Sequence, residues 1–173
     1  MKRAALLILL LASGAVAQTR HNTDAPIDFG ADTIELQDRA NRAVLSGNVA
    51  VRQAEMSLNA ARMTVNYTGQ VIGGSPQVSR LDAAGGVVVR RPDQTARSQY
   101  AVYDLNRRVI TMVGSVSLTQ GGNTVNGGRL TINLDNGRAI IDGTSASSSS
   151  GAGNVTSTPS GRVTGTFSVP KRN

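Results

Sequence analysis

The chain has 173 residues, 18 Lys+Arg against 11 Asp+Glu, a formal net charge of +7, 3% aromatic residues, and neither cysteine nor tryptophan. Disulfides, thiolate metal sites and thiol nucleophiles are therefore excluded, and the core has to be built from Val, Ile, Leu and Met. With one histidine, His21, close to the N-terminus, and eleven carboxylates dispersed without paired spacing, no catalytic residue, metal ligand or cofactor is assigned, and an enzyme is not expected.

In chain order, Met1-Lys2-Arg3 is a short positive region and Ala4 to Ala12 a short apolar one. Ala15-Val16-Ala17 then supplies the small residues a signal peptidase reads, so residues 1–17 are expected to be a cleaved signal peptide. The apolar run is well short of the ~20 residues that span a bilayer, and no cysteine follows for lipid attachment. The mature chain is expected to be soluble, with about 156 residues and a charge of +5 once Lys2 and Arg3 are removed.

From there the sequence reads as strands. Ile34/Leu36, Val49/Val51, Met63/Val65/Tyr67, Val116/Leu118 and Leu130/Ile132/Leu134 alternate with polar residues, the period of a half-buried strand. Gly47-Asn48, Gly73-Gly74, Gly85-Gly86, Gly121-Gly122, Gly127-Gly128 and Asn136-Gly137 are expected to be turns between the runs. No mature segment has sustained helical periodicity. A shift of 67 positions places Gly47-Asn48-Val49-Ala50-Val51-Arg52-Gln53 on Gly114-Ser115-Val116-Ser117-Leu118-Thr119-Gln120, and Arg62-Met63-Thr64-Val65-Asn66 on Arg129-Leu130-Thr131-Ile132-Asn133. One supersecondary unit thus occurs twice, each copy covering an apolar face that the other could not bury alone. The Ser- and Gly-rich stretch 144–161 is too polar to order itself and is read as a flexible segment. Residues 162–173 resume alternation through Val163, Phe167 and Val169 as a terminal strand with a basic tip.

Almost all the positive charge is arginine, a balance that suits an anionic partner. Nucleic acid is the usual reading of so basic a chain, but export argues against it and leaves phosphorylated lipid or anionic polysaccharide.

Several segments resemble one family. Thr23-Asp24-Ala25-Pro26-Ile27-Asp28-Phe29-Gly30-Ala31-Asp32 is similar to the opening of LptA/OstA-type lipopolysaccharide transport proteins. Leu45 to Gln53 is similar to their most recognisable stretch, and Tyr103-Asp104-Leu105 with Gly114 to Gln120 to its second copy. Residues 162–170 look like the terminal strand, so the match covers roughly 22 to 143 and 162 to 170. The resemblance implies an all-β, open β-jellyroll or sandwich of about sixteen antiparallel strands over residues 18–143. It implies a periplasmic protein whose interior shields the acyl chains of lipopolysaccharide (lipid A) between inner and outer membrane. The implied partners are inner- and outer-membrane components of the transport machine and further copies stacked head to tail. Ile27, Phe29, Tyr67, Val87, Tyr103 and Leu105 line the lipid slot by resemblance. Ile34, Leu36, Val49, Val51, Leu58, Val65, Val116, Leu118 and Ile132 face inward by alternation. Lysines that face anionic sugars or phosphates in the family are nearly absent here, replaced by arginines such as Arg52, Arg62, Arg90, Arg91 and Arg129. The competing readings are a β-protein that polymerises through its edges without lipid, and a carbohydrate-active sandwich.

Overall fold

Strands of β-branched and aliphatic residues, each alternating apolar with polar, can bury one face only by turning it toward another sheet or another part of the same one. The computed structural model, which describes residues 21–69, 74–143 and 164–166, takes the second course. Among the described residues ten strands form one antiparallel sheet. They are β1 Ile27–Gly30, β2 Thr33–Gln37, β3 Arg42–Gln53, β4 Met56–Thr68, β5 Gln77–Arg91, β6 Gln94–Asp104, β7 Val109–Gln120, β8 Asn123–Asn133, β9 Ala139–Asp142 and β10 Thr164–Thr166. From β3 to β8 each strand pairs with the next in sequence. Both β1 and β2 pair with β3 at one edge, and both β9 and β10 with β8 at the other. A single 3-10 turn, Asp38–Ala40, links β2 to β3.

The six long strands, β3 to β8, all break register at the same level. The breaks fall between Ser46 and Val49, Asn59 and Arg62, Ala84 and Val87, Arg97 and Tyr100, and Val113 and Val116. On β3, β5 and β7 the break is a pair of left-handed residues: Gly47 and Asn48 (φ 76° and 46°), Gly85 and Gly86 (83° and 60°), Gly114 and Ser115 (85° and 49°). Glycine adopts this region without penalty and asparagine with little; two such residues in a row bulge the strand and turn its course. The link from β1 to β2 follows the same corner: the Asp32 amide donates to the Gly47 carbonyl (2.9 Å), and Asn48 Nδ2 donates to Asp32 Oδ2 (2.8 Å).

These breaks divide the sheet into two arms. The first holds β1, β10 and the half of each long strand next to the turns at 54–55, 92–93 and 121–122; the second holds β2, β9 and the other halves. Inner faces of both arms are buried: Leu45, Met63, Ile110, Met112 and Leu130 on the second are fully inaccessible, and Val49, Leu58, Val87 and Ala96 on the first are nearly so. Each large aliphatic buried this way contributes roughly 1.5–3 kcal/mol. A direct bond between arms, from Tyr103 Oη to Gln53 Oε1 (2.7 Å), shows the faces packed against one another.

Two expectations need correction. The strand count is ten among the described residues, not about sixteen, because each long strand runs through the bend with its neighbours on both sides. Gly47-Asn48, Gly85-Gly86 and Gly127-Gly128 lie inside β3, β5 and β8 and are not turns; Gly121-Gly122 and Asn136-Gly137 are. The internal repeat is realised as architecture. β3 and β7, at 12 residues each, carry left-handed pairs at the aligned positions, and β4 and β8 are their aligned partners. The proposed signal peptide, Gly73, the 144–161 segment and the terminal strand outside Thr164–Thr166 lie outside the described residues. Among the described residues no helix is long and apolar enough to cross a membrane.

Candidate functional site

Directly paired residues in an antiparallel ladder point to the same face, so the register assigns every strand position to the interior or the exterior. Val49, Val51, Leu58, Val65, Tyr67, Val87, Tyr103, Val116, Leu118 and Ile132 all lie in the core. Ile27 and Leu105 are half-buried and packed against it. Phe29, Ile34 and Leu36 are not enclosed: they are 45%, 45% and 60% exposed. Their direction is inward nonetheless, since Phe29 stands opposite Val51, Ile34 opposite Leu45 and Leu36 opposite Ala43. They belong to β1 and β2, where the ladder ends, so each has a neighbour on one side only. The interior is therefore unclosed along this edge, and three large apolar side chains rim it. Core residues the alternation did not single out include Leu45, Leu81, Val89, Ile110 and Met112; Val109-Ile110-Thr111-Met112 carries the period that would have found the last two.

The end of the sandwich opposite the bend is polar. Gln53 continues the inward phase of Val49 and Val51, and at 2% exposure it is among the few buried polar residues. Its Nε2 donates to the carbonyls of Thr23 (2.9 Å) and Ala25 (3.0 Å), and its Oε1 accepts from Tyr103 and lies 3.3 Å from His21 Nε2. Residues 21–26 thus form a strap across this end, with His21, Thr23, Ala25 and Ile27 half-buried and the residues between them exposed. Asp24 at the crown of the strap pairs with Arg108 (2.9 Å) on the β6–β7 turn, and Arg108 also pairs with Asp135 (3.3 Å) on the β8–β9 turn. Burial pushes the Tyr103 phenol up to about 12, with Arg108 and Gln53 opposing, so it stays protonated and serves as a donor. Burial also holds the His21 imidazole below its usual value, against the Gln53 contact that favours the cation.

On the exterior, Arg52 and Arg90 flank Ser57 in one row of the first arm, and Arg62 and Arg129 stand in one row of the second. All four are exposed, whereas Arg91 is half-buried where β5 turns into β6. The bend leaves a shallow groove of about 490 Å³ lined by Gly47, Asn48, Val49, Asn59, Ala60, Ala61, Gly85 and Gly86; backbone and small side chains make it, and no charged group lines it. Among the described residues no three His, Asp or Glu side chains come together as a metal site would need.

This geometry has close counterparts. The family model described as LptA/(LptD N-terminal domain) LPS transport protein matches residues 29–138. An uncharacterized protein of Rhizobium meliloti is 30% identical over 145 residues, covering 77% of this chain and 78% of that protein. The crystal structure of LptH, the LptA homologous periplasmic component of the lipopolysaccharide transport device of Pseudomonas aeruginosa, covers 86% of this chain and 99% of its own. It has a TM-score of 0.68 at 20% identity, a likeness of fold.

Proposed function

Because the chain belongs to the LptA/LptD N-terminal domain family of lipopolysaccharide transport proteins, we propose that it is a periplasmic carrier. In this reading it shields the acyl chains of lipopolysaccharide and hands the lipid from the inner toward the outer membrane, without catalysing a reaction. The observation that carries it is the unclosed apolar edge. Phe29, Ile34 and Leu36 continue the rows of the core into solvent, where a stable isolated protein would place polar or charged residues. An acyl chain laid along that edge is removed from water at roughly 0.8 kcal/mol per CH₂. The twelve remaining lining residues, from Ile27 to Ile132, receive a chain as the arms part at the edge. The unpaired strands β1/β2 and β9/β10 are dissimilar, so contact between them is heterologous and propagates head to tail, or continues onto related domains in the inner- and outer-membrane components.

A photo-crosslinking residue at Leu36, compared with one at the outward Thr119, tests this in intact cells. Lipopolysaccharide adducts from position 36 and none from 119 are expected; equal labelling, or none from either, rejects the reading. The tight burial of the interior favours a second reading, a β-protein that polymerises through its edges and carries nothing. Native mass spectrometry of the purified oligomer separates the two by the presence or absence of bound lipid.

A further inference from the structure

The strap over the polar end brings an acidic side chain, Asp24, to Arg108 at the rim of the apolar core. Arg108 sits in a left-handed conformation (φ 56°) in the β6–β7 turn, a position that costs a non-glycine residue energy and persists only where its surroundings hold it. Its carbonyl accepts from the Leu134 amide (2.9 Å), the neighbouring Arg107 amide donates to Asp104 Oδ1 (2.9 Å), and the Leu105 amide donates to the Ser79 carbonyl (3.0 Å). The β8–β9 turn beside it carries Arg138, whose carbonyl accepts from the Asn133 amide. Three arginines thus stand on two adjoining turns, and among the described residues only Arg108 of the three is in an ion pair. Leu134, bonded to the Arg108 carbonyl, is closed to solvent, as is Tyr103 at the end of β6.

Arg108 divides its fork between two separate carboxylates, Asp24 and Asp135, each held by a single nitrogen. Asp135 belongs to the turn and stays. Asp24 belongs to the strap, its side chain is 81% exposed, and an exposed ion pair of this kind is easily exchanged. A phosphate monoester offers the planar guanidinium several oxygens at once, a better match than one carboxylate oxygen.

We infer that Arg108, with Arg107 and Arg138, is the site for the phosphate of an amphiphile whose chain enters the core, and that Asp24 of the strap occupies it when no lipid is bound. The inference rests on the carrier reading and adds to it a headgroup site and a resident stand-in. Charge favours the exchange: the three arginines outweigh Asp104 and Asp135, and the strap leaves with its own negative charge.

The test uses the full chain with lysophosphatidic acid and the matching monoacylglycerol, both below their micellar concentrations, and with inorganic phosphate. Asp24→Asn is expected to tighten lysophosphatidic acid binding about two- to fivefold, the range of an exposed ion pair, leaving the monoacylglycerol unchanged. Arg108→Gln should weaken the phosphorylated lipid roughly tenfold, the neutral one hardly at all, and Arg108→Lys should recover part of the loss. Phosphate alone should compete only weakly; if it competes as well as the lipid, the site is a phosphate site unconnected to the core and the inference fails. Asp24→Asn tightening both lipids equally would make the strap a plain cover and overturn the headgroup site. Wild-type protein binding both lipids equally would do the same while sparing the carrier reading. Binding of neither lipid would sink both.

Discussion

Gln53 and Tyr103 join the two arms through one buried hydrogen bond, and its removal should be felt in a way that identifies it. In Gln53→Ala the two bonds donated to the strap carbonyls disappear, at about 0.5–1.5 kcal/mol each. The Tyr103 hydroxyl, 2.7 Å from the lost acceptor, is left unpaired where the ring is 1% exposed, costing a further ~1–3 kcal/mol. The variant should therefore be about 2–6 kcal/mol less stable, and with ~2–4 °C per kcal/mol for a chain of this size its melting point should fall by roughly 4–24 °C. Tyr103→Phe alone removes the donor and should cost about 1 kcal/mol. In the double variant no hydroxyl remains to be orphaned, so the combined loss should undershoot the sum by about 1–3 kcal/mol. Urea unfolding followed by far-ultraviolet circular dichroism measures all four proteins. Losses that add within about 0.5 kcal/mol would refute the argument, because independent residues cannot form the bridge between the arms.

Leu36→Asp should change stability by less than about 0.5 kcal/mol, since the side chain is 60% exposed, yet lower lipid uptake by setting an unpaired charge against acyl chains; unchanged uptake would place the lipid elsewhere. Leu45→Ala, fully buried in the same sheet, should cost about 2–5 kcal/mol by the same unfolding assay, and a loss below 1 would contradict the assigned core. Gly85→Ala should destabilise more than Gly121→Ala: both have positive φ, but a Cβ on Gly85 meets Ala61 Cβ at 2.8 Å whereas one on Gly121 meets nothing. Equal midpoints for the two would show the bend to be loose. For His21, burial disfavours the cation, so the stability it supplies is complete above pH 6.5 and is lost as pH falls below that value. His21→Gln should shrink the drop in melting point between pH 7 and pH 5, and an undiminished drop would mean that the strap does not sense this residue.

The inner faces of the long strands were legible because alternation records direction. Val49, Val51, Leu58, Val65, Val116, Leu118 and Ile132 point inward and are buried. Direction is not enclosure, however. Ile34 and Leu36 alternate as cleanly as Val49 and Val51, and only the position of β2 at the rim of the sheet, a non-local fact, leaves them in solvent. The glycine pairs were ambiguous for a related reason. Two left-handed residues in succession make a hairpin turn when the chain reverses and a bulge when it continues, and Gly85-Gly86 looks the same in both cases. Gln53 was missed because a polar residue at the end of an apolar alternation reads as the strand's end; its phase with Val51 was the available signal. The Asp24–Arg108 pair joins residues 84 apart, and nothing local foretells it.

The order of strands in the sheet has a kinetic consequence. From β3 to β8 every strand pairs with the strand that follows it in the chain, so each new ladder closes a short loop and the entropy of bringing distant segments together is largely avoided. Assembly can begin at whichever hairpin forms first and extend outward one strand at a time, and for an all-β protein of this length folding should be fast. The same connectivity means that losing a terminal strand exposes the next one while leaving the remaining ladder paired. A chain built this way can surrender an edge to a neighbour and take it back without unfolding its centre.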